Sequence, residues 1–204
     1  FQGEAWHYLC LETELAETGD FVSTTVGEAA VVVCRDKDGD INAFVNRCIH
    51  RGNLICLERH GNARRFTCIY HGWVYDHTGK LTGVAFERGV NGQGGMAPEF
   101  KREEHALRRL RVAALGGIVF GTFSEATPDL ESWLGEDVIR GLKRVMNRKP
   151  YVLGRNTQIL PNNWKLYAEN VKDTYHASIL HLFLTTFKIN KLTMPGGVFI
   201  NQDG

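Results

Sequence analysis

The sequence predicts an α+β chain. An all-β domain over residues 1–125 is followed by the start of an α/β domain, a mixed sheet with helices, over residues 126–204. Two patterns predict it. Short β-rich runs recur between turn residues up to about residue 125, and beyond it apolar residues fall at three- and four-residue spacing. A length of 204 residues suits one large domain or two small ones.

In order, the runs are Trp6–Leu11, Phe21–Val26, Ala29–Arg35 and Ile41–Asn46, with Asp38-Gly39 as a hairpin turn between the last two. Arg65–Ile69, Trp73–Asp76 and Leu81–Val84 follow, with a turn at Thr78-Gly79, and Leu107–Ala113 and Gly117–Phe123 close the series. Regularly spaced short strands of this kind build sandwiches or barrels. Val90–Gly95 reads as a flexible surface loop, and there is no internal repeat or low-complexity tract. Thr127-Pro128-Asp129 is a helix start, followed by Leu130, Trp133, Leu134, Val138, Ile139, Leu142, Val145 and Met146. Gly135 divides this stretch into two short helices, Asn147–Pro150 ends them, and Tyr151–Leu160 resumes a strand-like alternation.

Composition excludes several classes. Hydrophobic content is 43% and charged content 23%, ordinary for a globular protein. A net charge of +1 without a basic block argues against nucleic acid or an anionic membrane as the main partner. No apolar run approaches the roughly 18 residues that a membrane span requires. Five cysteines in a chain of this length are not a disulfide framework, which points to reduced, cytoplasmic use. The chain starts at Phe1 and stops at Gly204 inside a strand-like stretch, so it reads as a piece of a longer polypeptide.

The chemistry concentrates in Cys48-Ile49-His50-Arg51-Gly52 and Cys68-Ile69-Tyr70-His71-Gly72-Trp73. Each arm supplies one Cys and one His, as C-x-H and C-x-x-H. A zinc finger pairs Cys with Cys and His with His on separate arms. Mixed arms suit a Rieske [2Fe–2S] centre, with two thiolates on one iron and two imidazoles on the other. Unrelated buried Cys and surface His, or a zinc site, are the competing readings. Gly52 and Gly72 suit tight turns close to such a cluster. Trp73 either shields the site from water or packs the core. Cys10 and Cys34 read as core thiols, and Cys56 as a thiol packed over the cluster or simply buried. His7, His60, His77 and His105 have no partner at ligand spacing.

Downstream, Glu169-Asn170-Val171-Lys172-Asp173-Thr174-Tyr175-His176 precedes His181, after the polar entry Pro161–Lys165. Two His and one carboxylate with open positions is the arrangement of non-heme Fe(II) oxygenases. At five positions apart the two rings sit roughly 140° from each other on a regular helix. The helix is therefore expected to end or bend between His176 and His181. Phe183–Phe187 lines a pocket or forms a core or interface helix.

With Cys48, His50, Cys68 and His71 followed by Asp173, His176 and His181, the chain resembles the large (α) subunit of Rieske non-heme iron aromatic ring-hydroxylating oxygenases over its whole length. Gly83-Val84-Ala85-Phe86-Glu87, Gly92-Gln93-Gly94-Gly95-Met96, Leu160–Tyr167 and Glu169–His181 are similar to the terephthalate, salicylate and anthranilate oxygenases within it. The resemblance implies that Cys48, His50, Cys68 and His71 hold the cluster, and that His176 and His181 are two of three ligands of a mononuclear Fe(II). The third, a carboxylate, lies beyond Gly204. It implies Asp173 as a carboxylate bridging the iron site of one subunit to a cluster histidine of its neighbour, either His71 or His50, and Asn170 as a polar residue near the iron. It further implies a reductase fed by NAD(P)H, other α subunits in a threefold assembly with small β subunits, and hydroxylation or cis-dihydroxylation of an aromatic acid with O2. A Rieske monooxygenase or demethylase, or an extended Rieske electron carrier, are the alternatives.

Overall fold

A computed structural model describes residues 4–173 and Thr186. The chain divides into two compact units, residues 1–154 and 155–204.

Among the described residues, the first unit holds ten strands. They are β1 (His7–Leu11), β2 (Asp20–Val26), β3 (Ala29–Arg35), β4 (Ile41–Val45), β5 (His60–Asn62), β6 (Phe66–Thr67), β7 (Val74–Tyr75), β8 (Leu81–Gly83), β9 (Arg109–Leu115) and β10 (Ile118–Thr122). Seven form an antiparallel sheet in the order β1-β10-β9-β4-β3-β2-β5, and β6-β7-β8 form a second, smaller sheet. Short 3₁₀ turns at Glu12–Glu14 and Arg102–His105 complete the irregular segments.

The middle of the large sheet is apolar on both faces. Along β3, Val31 and Val33 enter one core with Leu9, Leu15, Val22 and Val119, while Val32 and Cys34 enter a second core with Phe44, Phe66 and Tyr75. Successive strand side chains point to opposite faces, so a continuous apolar run is what a doubly covered strand requires. The small sheet and its loops cover the second core, and this places the Cys48 and Cys68 arms against it. Burying a side chain such as Phe44, fully enclosed here, contributes about 2 kcal/mol.

The strand expectations agree within a residue or two, and β3 coincides with Ala29–Arg35. Strand β5, His-Gly-Asn, has no β propensity and was not expected. It pairs with β2 through Asp20↔Asn62 and Phe21↔Gly61. A Cβ at Gly61 would come within 3.1 Å of the Phe21 ring, so the absence of a side chain admits the pairing. Tyr151–Leu160 carries no regular secondary structure.

Helix α1 (Leu130–Val145) begins where expected, with Asp129 accepting hydrogen bonds from the Ser132 N–H (3.0 Å) and hydroxyl (2.7 Å). Gly135 interrupts it with φ +74 and ψ 162, giving the expected division into two helices. The helix belongs to the first unit, to which the Trp6 Nε1–H···O=C Pro128 bond (2.9 Å) also ties its start. Of its apolar set Leu130 is buried, whereas Trp133, Val138 and Val145 are exposed. In the second unit, α2 (Trp164–Lys172) is capped by Asn163, whose side-chain oxygen accepts the Lys165 N–H at 3.0 Å. The expected break between His176 and His181 lies outside the described residues, as does Phe183–Phe187 apart from Thr186. Among the described residues no helix is long and apolar enough to cross a membrane.

The loop Val90–Gly95 is closed rather than open. Val90 and Gln93 exchange backbone hydrogen bonds at 3.0 Å, and the Met96 N–H reaches the Glu87 carbonyl at 2.9 Å. A Cβ at Gly95 would lie 2.6 Å from the Glu87 carbonyl oxygen, so close backbone approach fixes glycine there. Arg102 grips both oxygens of Glu87 and holds that carboxyl below the usual range, and it also donates to the Thr82 carbonyl at 2.7 Å.

Both hairpin turns are organised by an aspartate three residues before glycine. Asp36 Oδ1 accepts the N–H groups of Asp38 (3.0 Å) and Asp40 (2.9 Å), and Asp76 Oδ1 those of Thr78 (2.8 Å) and Lys80 (3.0 Å). Asp36 also receives the buried Asn42 amide at 2.8 Å. Burial pushes the Asp36 carboxyl up, but these bonds and nearby His77 outweigh it and leave its pKa below the ordinary value. Asp36→Ala orphans the Asn42 amide and two backbone donors and should cost about 1–3 kcal/mol, read from denaturant melts. The folded pKa is depressed, so this stabilisation is complete above about pH 4 and fades as pH falls through the lower folded value. Acid-induced loss of stability in that range should be shallower in the variant.

Candidate metal centre

The two Cys/His arms are loops closed by the same backbone bonds. In the first, between β4 and β5, the Cys48 N–H donates to the Asn53 carbonyl and the Gly52 N–H to the Cys48 carbonyl, both at 2.8 Å. In the second, between β6 and β7, the Cys68 N–H donates to the Trp73 carbonyl (2.8 Å) and the Gly72 N–H to the Cys68 carbonyl (2.9 Å). Gly52 and Gly72 sit at φ +70 and +67, where a side chain costs roughly 1 kcal/mol. A Cβ on Gly72 would also crowd Ala85 at 3.1 Å.

Sequence reasoning missed the residue that fastens the first loop. Asn46 is 3% exposed; its Oδ1 accepts the Ile55 (3.0 Å) and Cys56 (2.9 Å) N–H groups, and its amide donates to the Cys56 carbonyl at 2.7 Å. A polar side chain at the buried end of an apolar strand was the signal available.

The donor atoms divide by depth. Cys48 and Cys68 are 3% and 2% exposed, whereas His50 and His71 are exposed, with ring centroids 4.6 Å apart and planes at 70°. Tyr75, fully buried, places its hydroxyl 3.3 Å from Cys48 Sγ and accepts the Ile49 N–H at 3.3 Å. Burial, together with the Cys48 contact, raises the Tyr75 pKa, so the phenol stays protonated and has a proton to donate to sulfur. Partial desolvation, then the neighbouring His71 and Arg51, lower the His50 pKa and favour the neutral imidazole that binds metal. Trp73 is buried beneath His50, and Tyr70 lies 3.8 Å from the His71 ring.

Among the described residues no three His, Cys, Asp or Glu side chains converge as a single-ion site requires. The arrangement is two pairs, buried thiols and an exposed couple of imidazoles. Such a donor set fits a two-iron cluster in which each iron takes two protein ligands.

The other thiols and imidazoles are accounted for separately. Cys34 is pushed up to about 12, by burial first and then by Asp36, Asp76 and Cys56, and its thiol contacts the His77 carbonyl at 3.2 Å. Cys56 shares the core of Cys48 and Cys68, with its sulfur 3.6 Å from the Ser23 hydroxyl. Cys10 is buried. His77 Nε2 bonds the Ala63 carbonyl at 2.7 Å, His105 Nδ1 bonds the Lys101 carbonyl at 2.8 Å, and His60 lies exposed in β5. His7 Nε2 is buried without a hydrogen-bond partner, and nothing in the structure explains it.

In the second unit Asn170 lies on α2, and Asp173 is its C-cap, with its N–H donating to the Glu169 carbonyl at 3.0 Å. Both side chains are exposed. Three positions apart, they fall on one side of the helix end. His176 and His181 lie outside the described residues.

Replacing Tyr75 by Phe removes the hydroxyl at Cys48 Sγ. A hydrogen bond to sulfur favours the more negative, reduced form of a cluster, so the variant's reduction potential should fall by on the order of 50 mV, measured by redox titration.

Residues 5–92 match the family model of the Rieske [2Fe-2S] domain. The chain is 54% identical over its full length to the terminal oxygenase component subunit alpha 2 of a Comamonas terephthalate 1,2-dioxygenase, covering 49% of that protein. It is 46% identical to the large subunit of a Burkholderia cepacia anthranilate 1,2-dioxygenase, over 95% of this chain and 46% of the relative. It is equally identical to the large oxygenase component of a Ralstonia salicylate 5-hydroxylase, over 92% and 45%. A solved structure of naphthalene 1,2-dioxygenase with indole bound superposes with a TM-score of 0.81 at 30% identity, over 92% of this chain and 42% of the other. The chain thus spans about half the length of the curated relatives it matches. With its mixed Cys/His arms the chain carries a Rieske [2Fe-2S] domain, and over its whole length it is similar to about half the length of the α subunits of aromatic ring-hydroxylating oxygenases.

Proposed function

We propose that the whole protein is the terminal oxygenase α subunit of a system that hydroxylates or cis-dihydroxylates an aromatic carboxylic acid with O2. The observation that carries it is the division of the donor set, two buried thiols and two adjoining exposed imidazoles, in a chain that continues to Asn170, Asp173, His176 and His181. An electron carrier has no use for the second group. The names of the terephthalate, anthranilate and salicylate relatives support an aromatic acid as substrate.

Cys48, His50, Cys68 and His71 hold the [2Fe–2S] cluster, and His176 and His181 contribute to a mononuclear Fe(II) site. When bound, the cluster supplies one-electron transfer and the iron a place for O2 beside the substrate. Residues 1–125 form the cluster domain, and 126–204 begin the iron domain. The protein's own groups set the conditions. The closed loops hold both thiols inside the core, the Tyr75 hydroxyl lies within hydrogen-bond reach of one of them, and the imidazoles are exposed. Asp173 presents an exposed carboxylate at the end of α2. It accepts a hydrogen bond from an imidazole N–H of a neighbouring copy, His71 or His50, orienting that ring and joining the two metal sites. NAD(P)H serves indirectly, through a reductase or ferredoxin, and small β subunits complete an α3β3 assembly.

Asp173→Ala in the full-length protein should keep three irons per α chain and lose turnover by 10-fold or more, roughly the cost of removing an orienting partner. Normal coupled activity would sink the bridging role. Incubating the full-length enzyme and its reductase with 18O2 and terephthalate, salicylate, anthranilate, benzoate or indole-3-acetate tests the reaction by mass spectrometry. Two labelled oxygens in one product mark dihydroxylation and one marks hydroxylation. Failure of every acid to couple O2 uptake to product would end the aromatic-acid reading.

A further inference from the structure

We propose that Trp73 is a positioning residue for His50, fixing the plane of that imidazole by stacking on it from the opposite ligand loop. The inference rests on the reading of His50 as a cluster ligand. A metal-bound imidazole can still turn about its metal–nitrogen bond, and that turn redirects its other N–H; restraining it is what the surroundings of a ligand histidine ordinarily do. For His50 the structure supplies a flat face. The indole and imidazole planes lie within 5° of parallel, with centroids 4.9 Å apart. Trp73 is 4% exposed, so the face cannot swing away.

Two further rings border the indole. Phe100 and His105 meet it edge-on at 5.8 and 5.6 Å, and both belong to the segment that Arg102 ties to Glu87 and to the Thr82 carbonyl. The Trp73 carbonyl meanwhile accepts the Cys68 N–H. One residue therefore closes the second loop through its backbone and braces the first loop's histidine through its side chain. His71 has a different neighbour, Tyr70, which is 59% exposed and tilted at 31°. A residue that only filled the core or excluded water would have no need to lie parallel to the ligand ring.

The test uses the full-length oxygenase with Trp73→Phe, which retains a stacking face, and Trp73→Met, which fills space without one. Phe100→Leu serves as a control that removes an edge-on neighbour of the indole and leaves the indole itself in place. The readouts are iron and sulfide content, EPR g values of the reduced cluster, and the rate of iron release to a chelator. The Met variant is expected to shift the g values and release iron roughly 10-fold faster, with the Phe variant and the control close to wild type. A Met variant that folds but takes up no cluster, while the Phe variant does, supports the proposal equally. Wild-type g values and release rate in the Met variant overturn it. So does a Phe100→Leu chain that reproduces the Met variant, or failure of both Trp73 variants to assemble a cluster. A wild-type protein without a Rieske EPR signal would instead overturn the ligand assignment itself.

Discussion

The closure of the two ligand loops is the constraint on which the rest of the molecule depends. Each loop bonds its cysteine N–H to a carbonyl five residues on and its cysteine C=O to a glycine four residues on. The same ring forms whether the histidine follows the cysteine by two residues or by three. Backbone groups that turn away from a sheet must find partners, and here they find them within the loop itself. The cysteine side chains are thereby left free to point inward. That arrangement needs a floor, which is the core around Phe44, Phe66 and Tyr75 beneath both loops.

The floor also explains why the centre is polar on one side only. Sulfur sits among apolar side chains and a single phenol, while the imidazoles stand at the surface with Arg51 beside them. Thiolates in such surroundings gain most from the few donors that reach them, because no water competes. Depth thus separates buried thiols from solvent-exposed imidazoles.

The second unit contributes a short capped helix whose end carries Asn170 and Asp173. Large apolar side chains on it, Trp164, Leu166, Tyr167 and Val171, are exposed. A helix of nine residues is marginal in water by itself and draws its stability from packing. The relatives, twice as long as this chain, have further residues with which to supply that packing.

What the sequence determined by itself was the donor chemistry and the strand sequence. Mixed Cys/His arms pointed to a two-iron cluster by residue type and spacing, and runs such as Ala29–Arg35 read directly as strand. Turn residues announced the hairpins, although the organising groups proved to be Asp36 and Asp76, three residues before the glycines. Tertiary structure decided the rest. It made a strand of His60–Asn62, because β2 needed a partner and Gly61 left room for Phe21. Tyr151–Leu160, by contrast, carries no regular secondary structure despite its alternation. Tertiary structure closed the glycine-rich loop by backbone bonds between Val90 and Gln93 and from the Met96 N–H to the Glu87 carbonyl. It also brought Asn46, Tyr75 and Trp73 to the ligand loops. Periodicity and spacing report which face a residue prefers and which atoms it offers. The neighbour it meets is set by how distant strands align, and a linear pattern does not encode that.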